Sequence, residues 1–405
     1  MAAPNAALPA DPAAGLGLYV HWPYCDRICP YCDFNVHRTR PVDTAAWRAA
    51  FRAEMAHARA VQGAAAPVLT SIYFGGGTPS LMPPGLVAEV IADAADTLGL
   101  ADGAEITLEA NPTSSEIAAF AAFKSAGVNR LSLGIQSLDD DALHFLGRDH
   151  TAADAMRGLD HAAEVFGRTT FDLIYGRPGQ TVAAWERELR AAQALSAGHM
   201  SLYQLTVETG TAFDAAQRRG ALVMPDDDAL ADFYEMTQAL MEAAGLPAYE
   251  VSNHADAGEP GRHNLTYWRY GAYVGIGPGA HGRLVVDGRR VTTETILGPA
   301  AWLQAVAVQG HGIAETTVLD PAACVDELLV TGLRLVEGIP ARRFEAVSGQ
   351  PLSALRKTAR MAPLLANDLL VIGDAGMAAT AAGRRVLNAV IAEVSEALSS
   401  LPDRT

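Results

Sequence analysis

The chain has 405 residues, of which 50% are hydrophobic and 19% charged, enough apolar material for a sizeable core divided between two domains. Its formal net charge of −16 repels nucleic acid and anionic lipid and so disfavours polynucleotide substrates. No apolar run reaches the roughly 18 residues of a membrane-spanning helix, and the Ala/Pro-rich residues 1–15 lack any targeting pattern, which predicts a cytoplasmic protein with a disordered N-terminal segment.

From residue 16 onward short apolar runs alternate with Ala-rich helical stretches, the rhythm of a parallel sheet with helical crossovers. The spacing predicts strands at Leu16 to Trp22, Ser71 to Phe74, Glu105 to Ala110, Arg130 to Ile135, Thr169 to Tyr175 and Ser201 to Val207, with helices between them such as Thr44 to Val61 and Pro84 to Leu98. Six consecutive units suit an α/β partial (β/α)6 barrel over residues 16–240 better than a doubly wound sheet. Ligands gather beyond the carboxyl ends of such strands, and polar or glycine residues recur there. A cysteine cluster follows the first strand and Gly75-Gly76-Gly77-Thr78 the second; Glu109 ends the third, Gln136 the fourth; Asp172 lies in the fifth and Thr206 closes the sixth.

Residues 241–305 break the rhythm. Rich in glycine and polar groups, with Arg262-His263-Asn264-Leu265-Thr266-Tyr267-Trp268 and a Gly275 to Gly282 run, they read as a connecting, surface-lying segment with close turns. Residues 306–405 return to helices around a short strand at Leu369 to Ile372, predicting a small, mostly helical, winged-helix-like accessory domain. A role for it in covering the barrel mouth or meeting a recipient is an expectation. No internal repeat is visible.

Three of the four cysteines, Cys25, Cys29 and Cys32, fall within eight positions, too clustered for a disulfide framework. Three thiolates on one loop fit three corners of a 4Fe-4S cubane and leave one iron free for an outside ligand. The alternative is a structural zinc site completed by His21 or His37. Cys324, in an apolar-periodic helix, reads as a buried core thiol.

The run Tyr19 to Cys25, the Cys-x3-Cys-x2-Cys loop and Gly75-Gly76-Gly77-Thr78-Pro79 resemble the radical S-adenosylmethionine (radical SAM) superfamily, in the branch of oxygen-independent coproporphyrinogen III oxidase. Within that branch, Cys32-Asp33-Phe34-Asn35 and the His263-Asn264-x-x-Tyr267-Trp268 motif resemble the HemW haem chaperones. The resemblance implies a radical SAM barrel with a HemN-like C-terminal domain, a 4Fe-4S cluster on the three cysteines, and S-adenosylmethionine as cofactor. It places Tyr19 and Tyr31 against the adenosyl part and Gly76, Gly77 and Thr78 at the methionine backbone groups. Glu109, Gln136, Asp172 and Thr206 would meet polar cofactor atoms, and Arg148 would clamp the carboxylate with its fork of donors.

Two activities follow from the resemblance: a chaperone that binds haem and hands it to an acceptor protein, or an enzyme acting on a porphyrinogen. The related oxidases carry a further cysteine two residues after the third, where this chain has Phe34, which favours the chaperone and leaves catalytic residues unassigned. His263, Tyr267 and Trp268 are candidate haem contacts and His281 a second candidate ligand; Arg262, Arg269 and Arg283 are candidates for the propionates, and Arg177 for an altered wall of the mouth. Expected partners are haem, its acceptor and an electron donor such as a flavodoxin or ferredoxin. Dimer formation and transient membrane association stay open.

Overall fold

The computed structural model describes residues 15–63 and 66–402. The expected N-terminal segment, apart from Gly15, lies outside the described residues. Six parallel strands stand side by side in chain order: β1 (Leu16–Trp22), β2 (Leu69–Gly76), β3 (Leu100–Ala110), β4 (Arg130–Gln136), β5 (Thr169–Tyr175) and β6 (His199–Gln204). This is the expected six-unit barrel, open and extended at both edges. β7 (Asn253–Ala255) pairs antiparallel with β6, and β8 (Ala272–Ile276) pairs parallel with β1. β9 (His281–Val286), β10 (Arg289–Thr295) and β11 (Ile313–Val318) then continue antiparallel, completing eleven strands.

Each strand sends alternate residues to opposite faces. On β1, Leu16, Leu18, Val20 and Trp22 are buried among the outer helices, while Tyr19 and His21 enter the lumen. Helix α1 (Thr44–Gln62) meets the outer face; the Asp43 side chain caps it by accepting from the Ala45 and Ala46 N–H groups. Its buried stripe includes Trp47, Phe51 and Met55, and Trp47 packs on Trp22 with ring centroids 4.8 Å apart. Helices α2 (Pro84–Leu98), α3 (Ala152–Phe166), α4 (Val182–Gln193) and α5 (Asp227–Ala243) complete the outer layer.

The segment 241–305 departs from expectation. It supplies strands β7 to β10 and helix α6 (Arg262–Trp268), with His263 and Thr266 buried, instead of lying on the surface. Its polar residues suggested a loop because a polar lumen hides them as well as water does. Its glycines let strands approach: a Cβ on Gly275 would collide with the His281 backbone. Helix α7 (Pro299–Gln309) returns Trp302 to within 5.2 Å of the Trp47 ring.

The C-terminal domain has its own core, including Leu328, Leu329, Phe344, Leu355 and Val390. Helices α8 (Pro321–Gly332) and α9 (Leu387–Ser399) pack with a small sheet ordered β12 (Ile339–Pro340), β14 (Gly376–Ala379), β13 (Leu370–Ile372), which adds a wing-like hairpin. Cys324 is buried in α8 as the sequence predicts.

Candidate functional site

β1 carries the chain to the barrel mouth at Trp22, and residues 25–35 loop across that mouth. Gly77 N–H donates to the Trp22 carbonyl at 2.7 Å and Thr78 N–H to that of Tyr24 at 2.8 Å; His37 N–H donates to the Pro23 carbonyl at 2.7 Å. The far end is pinned by Asn35, whose amide donates to the carbonyls of Pro278 and Leu297, each at 2.9 Å. Cys25 is buried, with the Thr78 hydroxyl donating to its sulfur at 3.3 Å, while Cys29 and Cys32 are partly exposed. Burial pushes the Cys25 thiol up to about 11, against the Thr78 hydrogen bond, and also raises Cys32. Such thiols bind iron only by releasing their protons, so loading is favoured as pH rises.

Of the two histidines of the zinc alternative, His37 is not among the residues lining the cavity, and its buried Nε2 has no partner. His21 has both ring nitrogens engaged, by the Tyr19 hydroxyl at 3.2 Å and the Asn35 carbonyl at 3.0 Å. Among the described residues no three His, Cys, Asp or Glu side chains form a group that could hold a single metal ion.

Behind the loop a cavity of about 1050 Å³ runs down the lumen. The end of β2 passes tightly under the loop: Gly76 has φ 110°, and a Cβ on Gly77 would sit 2.7 Å from the Tyr24 carbonyl oxygen. Only glycine permits that approach. Glu109 accepts from the Tyr73 hydroxyl at 2.8 Å and lies near Asp172. Burial lifts both acids to about 7; Asp172 adds to the effect on Glu109, whereas Ser201 and Arg148 oppose it at Asp172. Gln136 enters the cavity from a left-handed backbone (φ 71°) where β4 pairs irregularly with β5, a strained conformation typical of functional positions.

Arg148 is the hub between loop and cavity. It donates to the Gly134 carbonyl at 2.7 Å, to Asn111 Oδ1, and to Cys29 Sγ at 3.5 Å. Burial works against its charge, but Tyr31 and Cys29 hold it protonated. Its Nε is buried with no partner. Three thiols on one loop, an unspent guanidinium N–H, a crowded glycine turn and two acids able to ionise toward a cation fit a 4Fe-4S cluster with S-adenosylmethionine beside it.

Helix α6 closes the opposite end, where the parallel strands begin. His263 Nδ1 pairs with the Ser71 hydroxyl at 3.0 Å, and its ring stacks on Tyr73 with centroids 5.2 Å apart and on Tyr19 at 6.3 Å. Burial lowers His263 to about 3, so the imidazole is neutral. Around it Arg130 and Arg168 pair with Glu105 at 2.9 and 3.1 Å, and His199 is held between the Thr170 and Tyr249 hydroxyls at 2.6 and 3.1 Å. Glu250, fully buried, accepts from Asn253 at 2.6 Å and from Arg334 of the C-terminal domain at 2.9 Å. That domain therefore docks behind the floor and does not cover the mouth.

The cavity gathers Tyr19, Tyr31, Gly76, Gly77, Thr78, Glu109, Gln136, Arg148 and Asp172 with the three cysteines, His263, Tyr267 and His281. Two expected residues stay outside. β6 ends at Gln204, leaving Thr206 exposed beyond the wall, and Trp268 turns away from the lumen to lie under the Arg334 guanidinium at 4.5 Å. The propionate candidates are engaged elsewhere: Arg262 with the Gly103 carbonyl, Arg269 with Glu337 and Arg283 with Glu327. Arg177 is buried in an ion pair with Glu188 at 2.7 Å, so it braces the turn after β4 and does not shape the mouth. Sequence reading did not single out Tyr73, Ser132, Ser201 and Tyr203, polar residues at alternate positions or strand ends that also line the cavity. The period-two pattern inside runs counted simply as apolar was the available signal.

Residues 19–192 match the radical SAM superfamily and residues 319–386 the HemN C-terminal domain. The mouse mitochondrial radical S-adenosyl methionine domain-containing protein 1 is 39% identical over 391 residues, covering 95% of this chain and 88% of that protein. The heme chaperone HemW of Mycobacterium tuberculosis is 36% identical over 384 residues, covering 94% and 95%, and that of Escherichia coli 37% over 347 residues, covering 82% and 86%. The structure of Escherichia coli coproporphyrinogen III oxidase (HemN) superposes with a TM-score of 0.76 at 21% identity, covering 97% of this chain and 92% of that one, and confirms the fold. With the cysteine loop, the barrel and both domains in agreement, the chain belongs to the HemW family of the radical SAM superfamily.

Proposed function

We propose that this chain is a haem chaperone, holding a 4Fe-4S cluster on Cys25, Cys29 and Cys32 with S-adenosylmethionine beside it, and passing haem to an acceptor protein. In this reading residues 16–240 form the cofactor barrel, 241–305 its closing segment and 306–405 an accessory domain. The observation that carries it is Phe34, a phenyl ring 60% exposed at the mouth where the related oxidases carry a further cysteine. The names of the bacterial relatives support it.

When bound, the reduced cluster and S-adenosylmethionine supply one-electron chemistry, with the electron from a flavodoxin- or ferredoxin-type donor. The residues position and shield. Arg148, with a buried N–H to spend, binds the methionine carboxylate; Gly76, Gly77 and Thr78 present backbone groups; Glu109, Gln136 and Asp172 receive ribose and amino donors. Tyr19 and Tyr31 exclude water. Two imidazoles face the cavity for haem iron, His263 from the floor and His281 from the rim.

The test offers the anaerobically reconstituted protein coproporphyrinogen III with cofactor and reductant and, separately, titrates it with haem. Stoichiometric haem binding, transfer to a haem-free acceptor and no decarboxylated product are expected. Decarboxylation without stoichiometric haem binding would establish the porphyrinogen enzyme instead.

A further inference from the structure

Resting on the haem-chaperone reading, we infer that haem docks at the rim of the cavity, with His281 as iron ligand, Phe34 and Leu297 under the macrocycle, and Arg27 facing a propionate. Among the described residues four histidines line the cavity: His21, His199, His263 and His281. His21 and His199 each have both ring nitrogens engaged by protein groups. That leaves His263 and His281 with an open Nε2.

These two differ in access. His263 is 5% exposed and packed against the rings of Tyr73, Tyr19 and Tyr267, with centroids 5.2, 6.3 and 6.0 Å away. A flat macrocycle reaching its Nε2 must enter the lumen that Glu109 and Asp172, the acids assigned to the cofactor, also line. The side chain of His281 is 55% exposed at the cavity edge, at the first position of β9. The Glu294 carboxylate lies 3.7 Å from Nδ1, behind the ring, and Nε2 has no protein partner among the described residues. A carboxylate behind the imidazole is the usual arrangement for a metal-binding histidine.

The rest of the rim offers a tetrapyrrole apolar cover and one cation. Asn35 binds the Leu297 and Pro278 carbonyls, which brings Phe34 beside Leu297 and the Gly277 to His281 turn. Phe34 and Leu297 are 60% and 62% exposed, large apolar side chains with no core to fill. Paired beside an open cavity they offer apolar cover. Arg27, exposed on the same loop, has no hydrogen-bond or ion-pair partner among the described residues. Asp26 and Asp33 share that loop, so the anion contact is confined to the one guanidinium.

The test titrates the cluster-reconstituted full chain with ferric haem and, separately, with iron-free protoporphyrin IX. Expected for His281→Ala is at least a tenfold loss of haem affinity and loss of the imidazole-ligated spectrum, restored by added imidazole, with protoporphyrin affinity unchanged. Phe34→Ser and Arg27→Ala should weaken both porphyrins, while His263→Ala keeps the haem spectrum. An unaltered spectrum and affinity in His281→Ala, or a ligation signature lost only in His263→Ala, overturns the rim site while leaving haem handling intact. A wild-type chain that binds no haem overturns the underlying reading instead.

Discussion

The mouth and the floor of the barrel are built from the two ends of the same six strands, yet they treat charged groups in opposite ways. At the floor, Glu105, Glu250 and Glu259 all meet arginines, and His199 is held from both sides. At the mouth, Arg148 keeps a buried N–H unspent, Gln136 sits in a strained backbone and three free thiols share one loop. A buried group left unmet costs about 1 to 3 kcal/mol, so it persists where something else supplies its partner. The charged groups of the floor are thus completed by protein, whereas Arg148 at the mouth keeps an N–H for a ligand; neutral groups such as Trp268 Nε1 are left unmet at the floor as well.

Two substitutions separate those roles. The largest effect is expected for Cys29→Ser, which removes one corner of the cluster: reconstitution should yield little iron and sulfide and lose the cluster's visible absorbance. Because Cys29 is partly exposed, urea unfolding of the cluster-free variant should shift by no more than about 1 kcal/mol. The converse is Arg334→Met at the floor. It leaves the fully buried Glu250 without its cation, and breaking such a pair from one side costs about 3 kcal/mol. It also removes the cation from the Trp268 face. A lower urea midpoint with normal iron content is expected. If Arg334→Met abolished cluster loading, or Cys29→Ser unfolded the chain, the division between the two ends would fail.

The mouth was far more legible in the sequence than the floor. Its parts follow the ends of consecutive strands, and cysteine and glycine carry strong local meaning, so Cys25, Gly77 and Arg148 could be named from the sequence, and all three line the cavity. Thr206 misled because β6 stops two residues earlier, at Gln204. The floor is assembled from positions far apart, such as Ser71 with His263, and no local pattern announces that pairing. A polar, glycine-rich stretch reads as surface unless one knows that the lumen it fills is polar too. Trp268 fell on the wrong side for a related reason: the motif spacing does not say which face of α6 the C-terminal domain will cover.

A smaller effect is expected at Glu54, which applies the floor's logic near the mouth. Its carboxylate accepts from Gly277 N–H and Gly312 N–H, each at 2.8 Å, and from the Trp302 indole at 3.0 Å, tying α1 to the turn that pins Asn35. Burial nevertheless raises it from 4.5 to about 7, with all three hydrogen bonds opposing that shift. Between those values the folded chain holds a proton that the unfolded chain has released. Stability from this group is therefore full below about pH 4.5 and is lost as pH rises through about 7. Glu109 and Asp172, raised by the same cause, add to the slope, so the informative quantity is the difference from Glu54→Gln. The amide cannot titrate and turns an N–H toward donors, so the variant should be the less stable at pH 5. The gap measured by urea unfolding should narrow toward pH 8, by an amount on the order of 2 kcal/mol. A gap that widens instead would mean that the three donors outweigh burial and that Glu54 is an ordinary ionised clasp.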